Sequence, residues 1–414
     1  MKATITPTKL SGCIKALPSK SHAHRALICA ALCDEGNSTV IDISSCGEDI
    51  DATVSVLSDL GADITQDGHI VVNPSKNYKS GGKICCRESG STLRFMLPVI
   101  SAMGAEVTVS GYGRLPDRPI GELLFQLREH NGRFDEDKLP LTASGKLSGG
   151  DFYFDGNVSS QYITGVLLAS PLTNEVCRIH INGELQSKPY VDLTVKVMRD
   201  FGIDVHEENG VYTVEKGKYV SPGKYEIEGD WSNAAFWLCA GISVEGLQID
   251  SFQGDSATLD ILRSAGAEFR YEDNTLIPSF KRLNGFTFNA QNTPDIVPPL
   301  AVAAATANGT SIITGAERLR IKESDRLKTV YDMLFALGAD IKLTDDGFII
   351  HGKEKLNGGT VNSCNDHRIA MSAAICAINC TGAVTVNGAE AVNKSYRDFW
   401  SDYARLGGKI NEIW

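Results

Sequence analysis

Two hydrophobic patterns run along the chain in step. The first is an amphipathic helical stretch that ends in glycine and gives way to a short alternating strand. Val56-Leu57-Ser58-Asp59-Leu60-Gly61-Ala62-Asp63-Ile64 shows it, and Val197-Met198-Arg199-Asp200-Phe201-Gly202-Ile203-Asp204-Val205 repeats it. Further copies lie at 261–268, 333–341 and 403–410, and a weaker one at 124–134 places Gly132 at the turn. The glycines at 61, 132, 202, 266, 338 and 407 recur about every 70 residues. Glycine just past a helix supplies the left-handed conformation that ends it.

The second pattern is a polar segment opening an apolar, small-residue helix. Such segments begin near Ser19, Ser89, Ser159, Asp230, Pro294 and Asn365, again about 70 residues apart. Each unit therefore reads as strand, helix, strand, helix, strands. Six units fill nearly the whole chain. The period is longer than that of the usual solenoid repeats, and 414 residues exceed what one core normally serves. Two compact α/β domains of three units each are expected.

Composition narrows the class. Hydrophobic residues make up 42% and charged residues 22%, as in an ordinary globular protein. Eleven cysteines are scattered without a C-x-x-C motif, so neither a disulfide framework nor a zinc site is expected. Cys29, Cys33, Cys239 and Cys376 sit in apolar helical runs and read as small core residues. The first residues lack the apolar stretch of a secretory signal, and no run is long enough to cross a membrane, so a cytoplasmic location is expected. A net charge of -11 argues against nucleic acid as a partner. Any anionic substrate must meet local positive charge.

That local charge stands at the helix openings. The first reads Leu17-Pro18-Ser19-Lys20-Ser21-His22-Ala23-His24-Arg25, the second Arg87-Glu88-Ser89-Gly90-Ser91-Thr92-Leu93-Arg94. Ser159-Ser160-Gln161-Tyr162, Thr293-Pro294-Asp295 and Asn365-Asp366-His367-Arg368 follow in the same phase. A helix N-terminus presents unpaired N–H groups and a positive dipole end, and glycine lets an anion approach the backbone. Ser159-Ser160 alone reads best as a plain N-cap. Ser-Lys-Ser-x-x-x-Arg followed by Gly-Ser-Thr-x-Arg reads best as anion binding. Arg114 and Arg118 flank a turn. Arg318-Leu319-Arg320-Ile321-Lys322-Glu323-Ser324-Asp325-Arg326 alternates as a half-buried strand would before entering a helix. No P-loop and no dinucleotide fingerprint is present, so phosphate would be held by Arg, Lys and Ser side chains.

These segments, with Asp117-Arg118-Pro119-Ile120-Gly121 and Lys394-Ser395-Tyr396, resemble the enolpyruvyl transferase family, in order and over the full chain. The resemblance implies an α/β fold of two inside-out domains, each of three βαβαββ units. It places one domain at 17–227 and the other at 1–16 plus 228–414, with hinge crossings near residues 16 and 228 and the substrates in the cleft between. It also implies that the N-terminal strands return to the second domain. The reaction implied moves the enolpyruvyl group of phosphoenolpyruvate onto the 5-hydroxyl of shikimate 3-phosphate and releases phosphate. No metal or organic cofactor is implied, and a monomer without membrane or nucleic-acid partners is expected. By motif, Lys20, Arg118, Arg326, Arg368 and Lys394 would hold phosphoenolpyruvate, with Gly90 beside its phosphate. Ser21, Arg25, Ser159, Ser160, Gln161, Ser187, Tyr190, Asp295 and Lys322 would hold shikimate 3-phosphate. Asp295 and Glu323 resemble the acid/base pair, and Lys20 joins them as catalytic. Glu88 beside the anion site departs from the family pattern, and Arg318 stands where some members place Asn.

Two other readings compete. The sister branch acting on UDP-N-acetylglucosamine typically has Lys-Asn early and a Cys before the arginine matching Arg118. Here the pair is Lys20-Ser21, and no Cys occurs between Cys86 and Cys177. A non-catalytic scaffold for polyanions would not need Asp295 and Glu323 among its cations.

Overall fold

The computed structural model describes residues 1–34, 37–43, 47–75 and 79–413. It contains six four-stranded sheets of one topology. In the sheet of Gly82–Cys85, Val107–Ser110, Leu141–Gly145 and Gly132–Phe134, the first two strands pair in parallel and the others antiparallel. The helices in chain order are α1 (Lys20–Ala31), α2 (Glu48–Asp59), α3 (Gly90–Met103), α4 (Gly121–Glu129), α5 (Ser160–Ala169) and α6 (Lys188–Asp200). They continue as α7 (Trp231–Cys239), α8 (Thr258–Ser264), α9 (Val297–Ala305), α10 (Arg326–Ala336), α11 (His367–Cys376) and α12 (Phe399–Arg405). Each sheet thus carries two helices, the βαβαββ unit of the inside-out α/β fold.

Helix burial follows from composition. Beyond their polar first turns the odd-numbered helices are mostly apolar or small, and every residue of α9 is buried. They form the interior, with the sheets outside. The even-numbered helices are amphipathic; α6 buries Val191, Leu193, Val195, Val197 and Met198, exposes Lys188, Arg199 and Asp200, and leaves Asp192 and Lys196 half-buried. The glycines at 61, 202, 266, 338 and 407 all have positive φ, as a left-handed helix stop requires. Gly132 does not. After α4 the left-handed residue is Asn131, at φ 68°, and Gly132 already starts a strand.

By internal contacts the chain forms two compact units, Met1–Ser19 with Glu228–Trp414, and Lys20–Ile227. Three sheets are completed by strands distant in sequence. Lys224–Glu226 pairs with Thr39–Asp42 in the Lys20–Ile227 unit. In the other unit, Cys13–Lys15 pairs with Ser243–Glu245, and Lys2–Thr6 lies between Val384–Asn387 and Lys409–Ile413. Cys29, Cys33 and Cys376 lie in the cores, whereas Cys239 is half-buried.

Candidate active site

The two units each gather polar residues at the N-terminal ends of their central helices. In the Lys20–Ile227 unit, α1 begins with a cation. Lys20 stands against the positive end of the helix dipole, an unfavourable position. Its Nζ lies 2.7 Å from Asp49 Oδ2, on the first turn of α2. Arg25, one turn on, is 3% exposed. Its Nε donates to Thr194 Oγ1 at 2.8 Å, and its Nη groups donate to the carbonyls of Tyr190 at 2.8 Å and Ser21 at 2.5 Å. The guanidinium also sits over the Phe95 ring. Among the described residues no carboxylate pairs with it, and burial lowers its pKa to about 10. A buried cation neutralised by no acid is a place for an anionic ligand.

Ser89 caps α3 by accepting from the Thr92 N–H at 3.2 Å. Gly90 is the first residue of that helix. A Cβ there would stand 2.6 Å from Arg118 Nη1 and 2.6 Å from Arg94 Nη1, so both guanidiniums press on bare backbone. Arg94 donates to Gln161 Oε1 at 3.0 Å, and Gln161 donates to Ser91 Oγ at 3.0 Å. Gln161 thereby ties α5 to α3. Ser159 caps α5, accepting from the Gln161 N–H at 3.3 Å, and Ser160 is buried in its first turn. Ser187, left-handed at φ 57°, immediately precedes α6, which has Tyr190 in its first turn.

The other unit carries the denser cluster. Arg326 opens α10 and is 1% exposed. Its Nη1 lies 2.9 Å from Asp295 Oδ1, its Nη2 contacts Glu323 Oε2, and its Nε lies 2.9 Å from Asp366 Oδ2. Arg368, in the first turn of α11, reaches Asp295 Oδ2 at 3.1 Å and the Asp295 carbonyl at 3.0 Å. Lys322 stands 3.4 Å from the same carboxylate. Burial alone would raise the Asp295 pKa, but Arg368, Lys322 and Arg326 outweigh it and hold the group well below the usual carboxylate range. Burial is also the main cause that lowers the Lys322 pKa. Lys394 donates to the Asn365 carbonyl at 2.6 Å.

Within one unit the structure thus joins Asp295, Lys322, Glu323, Arg326 and Arg368 into one cluster. Within the other it joins Lys20, Ser21 and Arg25 along α1, and Gly90, Arg118 and Gln161 around Arg94. The run 318–321 is not a strand. Glu317–Ile321 is a 3-10 turn with Leu319 buried and Ile321 exposed, because a three-residue period, not alternation, sorts its side chains. The sequence marks Arg94 within the Gly-Ser-Thr-x-Arg anion motif, but it does not single out Asp49 or Asp366. Each lies in a polar helix opening, which is the only signal that marks it.

The EPSP synthase (3-phosphoshikimate 1-carboxyvinyltransferase) family model matches residues 5–403. A 3-phosphoshikimate 1-carboxyvinyltransferase of Clostridium novyi is 42% identical, over 99% of this chain and 98% of the relative. That of Clostridioides difficile is 39% identical, over 99% of this chain and 98% of the relative. A solved EPSP synthase from Acinetobacter baumannii superposes with a TM-score of 0.82 at 25% identity, over 99% of this chain and 100% of that one.

Proposed function

This chain belongs to the EPSP synthase family, and from that membership we infer that it moves the enolpyruvyl group of phosphoenolpyruvate onto the 5-hydroxyl of shikimate 3-phosphate, releasing phosphate. This is the family's step toward chorismate and the aromatic amino acids, and the family is the target of glyphosate. The observation that carries the reading is the shared guanidinium of Arg326, on which Asp295 and Glu323 both rest. Two carboxylates in unlike settings, side by side among cations, suit one proton taken and one given.

The proposed roles are these. Lys20, Arg118, Arg326, Arg368 and Lys394 hold phosphoenolpyruvate, with Gly90 beside its phosphate. Ser21, Arg25, Ser159, Ser160, Gln161, Ser187, Tyr190, Asp295 and Lys322 hold shikimate 3-phosphate. The 5-hydroxyl oxygen attacks C2 of phosphoenolpyruvate and gives its proton to Asp295, while C3 gains a proton from Glu323. Phosphate then leaves the tetrahedral adduct, taking up the proton held by Asp295, as C3 returns a proton to Glu323; this restores the double bond and both carboxyl groups. Asp295 is ionised at neutral pH, as a base must be. Its cations also make it a weak base. Substrate anions that share Arg326 and Arg368 reduce that hold and strengthen it. Cations around the departing phosphate stabilise the charge that develops there.

No described helix is long and apolar enough to cross a membrane. We place the enzyme in the cytoplasm, which the free cysteines among the described residues support, and as a monomer, since the proposed ligands all come from one chain. The test is phosphate release from phosphoenolpyruvate, followed with and without shikimate 3-phosphate. Release that ignores shikimate 3-phosphate, or none with both present, overturns the assignment.

A further inference from the structure

Arg326, Arg368 and Lys394 come from three separate elements, and one short turn touches all three. Residues 363–366 join the strand Gly359–Asn362 to α11. The Asp366 carboxylate is fully buried and accepts from Arg326 Nε at 2.9 Å and Nη2 at 3.3 Å. It also accepts from Ser324 Oγ at 3.0 Å and from the Arg368 N–H at 3.0 Å, which caps α11. One residue back, the Asn365 carbonyl accepts from Lys394 Nζ at 2.6 Å. The turn is itself held, since Ser363 Oγ donates to the Gly388 carbonyl at 2.8 Å and accepts from the Asn365 N–H at 3.2 Å. Cys364 and Asn365 are both left-handed, at φ 51° and 57°. Consecutive non-glycine residues keep that conformation only where their surroundings dictate it.

The donors of Arg326 divide into two edges. A guanidinium has five N–H groups in a fixed plane. Nε and one Nη2 hydrogen face Asp366, which is shut off from solvent. The outer Nη hydrogens face Asp295 and Glu323, whose side chains are 21% and 20% exposed. The inner edge is fixed, and the outer edge is where an incoming anion can exchange with a carboxylate.

We propose that Asp366 is a positioning residue. It sets the plane of Arg326 so that the outer edge meets the substrate anion, and its turn brings Arg368 and Lys394 into register with it. This rests on the assignment of those three cations to phosphoenolpyruvate above. The competing account makes Asp366 a helix cap and nothing more. Asp366→Ser separates the two, because serine caps a helix well but is too short and uncharged to pair with the guanidinium.

In full-length Asp366→Ser with an unfolding midpoint near wild type, KM for phosphoenolpyruvate should rise about tenfold to a hundredfold, the scale of a displaced substrate-positioning group. KM for shikimate 3-phosphate should stay within a factor of about three, since Asp366 bonds to Ser324, Arg326 and the Arg368 N–H and to none of the side chains assigned to that substrate. The Arg326 Nε–H resonance should exchange slowly in the wild type, where Nε bonds to buried Asp366, and rapidly in the variant. Unchanged KM for phosphoenolpyruvate, or an Nε–H as protected as before, overturns the proposal. If the serine variant does not fold, Asp366→Asn, of equal size and with one acceptor oxygen left, is read in the same way. If the wild type itself releases no phosphate, the functional assignment falls and the resonance alone decides on positioning.

Discussion

Gly90→Ala tests the anion site at its tightest point. The added methyl group would lie 2.6 Å from both Arg118 Nη1 and Arg94 Nη1. Ordinary contact between such atoms is about 3.5 Å, so each guanidinium must withdraw by roughly 0.9 Å. Both are the far ends of flexible side chains, so the fold should survive. For a phosphate about 4 Å from each cation, at an effective dielectric of about 20, that retreat removes roughly 0.7 kcal/mol per arginine. Two arginines together give about 1.5 kcal/mol, or about tenfold. KM for phosphoenolpyruvate should rise by that factor at low salt, and less in added salt, which screens half-exposed Arg118. Glyphosate spaces its phosphonate and carboxylate one atom further apart than phosphoenolpyruvate spaces its own groups. It therefore has less slack, and its Ki should rise more than the KM. The assay is phosphate release at fixed shikimate 3-phosphate with both ligands varied. Unchanged KM and Ki in a folded Gly90→Ala enzyme would refute the placement of the phosphate beside residue 90.

Three further outcomes are expected. Lys20→Met should keep a near-native unfolding midpoint, since it removes a cation from a helix N-terminus, yet lower kcat/KM by about a hundredfold or more in steady-state assays. Glu323→Gln should reduce kcat by about a hundredfold to ten-thousandfold while calorimetry finds shikimate 3-phosphate binding little changed, because proton transfer matters in the transition state. The third concerns pH. His22 is buried, and its Nε2 lies 2.9 Å from the Tyr225 hydroxyl, which donates to Asp200 at 2.7 Å, so His22 Nε2–H is the donor. Burial first, then Lys196 and Arg25, lowers its pKa to about 3. The unfolded chain, with its ordinary value near 6.5, takes up the proton first as pH falls, so stability is present above about 6.5 and is lost toward 3. His22→Gln should therefore show a urea-derived stability loss between pH 7 and 5 that is about 2 kcal/mol smaller than that of wild type. Equal losses would mean that His22 does not report the proton.

What could be read from the sequence was whatever only one residue type can do. Left-handed helix stops demand glycine, so Gly61, Gly202 and Gly266 marked the repeats. Gly132 misled because Asn131 tolerates the left-handed turn, while the missing Cβ at 132 serves packing, 2.7 Å from the Leu127 carbonyl. Cations in first helical turns oppose the dipole, which made Lys20, Arg326 and Arg368 conspicuous. Acids at the same places look like ordinary caps, so Asp49 and Asp366 gave no local sign of the cations they hold. The return of Lys2–Thr6 to a sheet near the far end of the chain has no local periodic signature either; only the resemblance to the family implied it. Strand pairing over that separation depends on partners a window cannot contain.

That return has a consequence for synthesis. The unit Lys20–Ile227 has all its residues once the ribosome has passed 227. The other unit holds Lys2–Thr6 in waiting, because its flanking strands are Val384–Asn387 and Lys409–Ile413. At about 5–20 residues per second, the rest of the chain takes roughly ten to forty seconds more. During that interval Ala3 and Ile5, fully covered in the finished unit, have no sheet to enter and are open to a chaperone. Losing even the last strand would leave the nascent first strand without one of its two neighbours, so translation errors at either extreme converge on the same sheet.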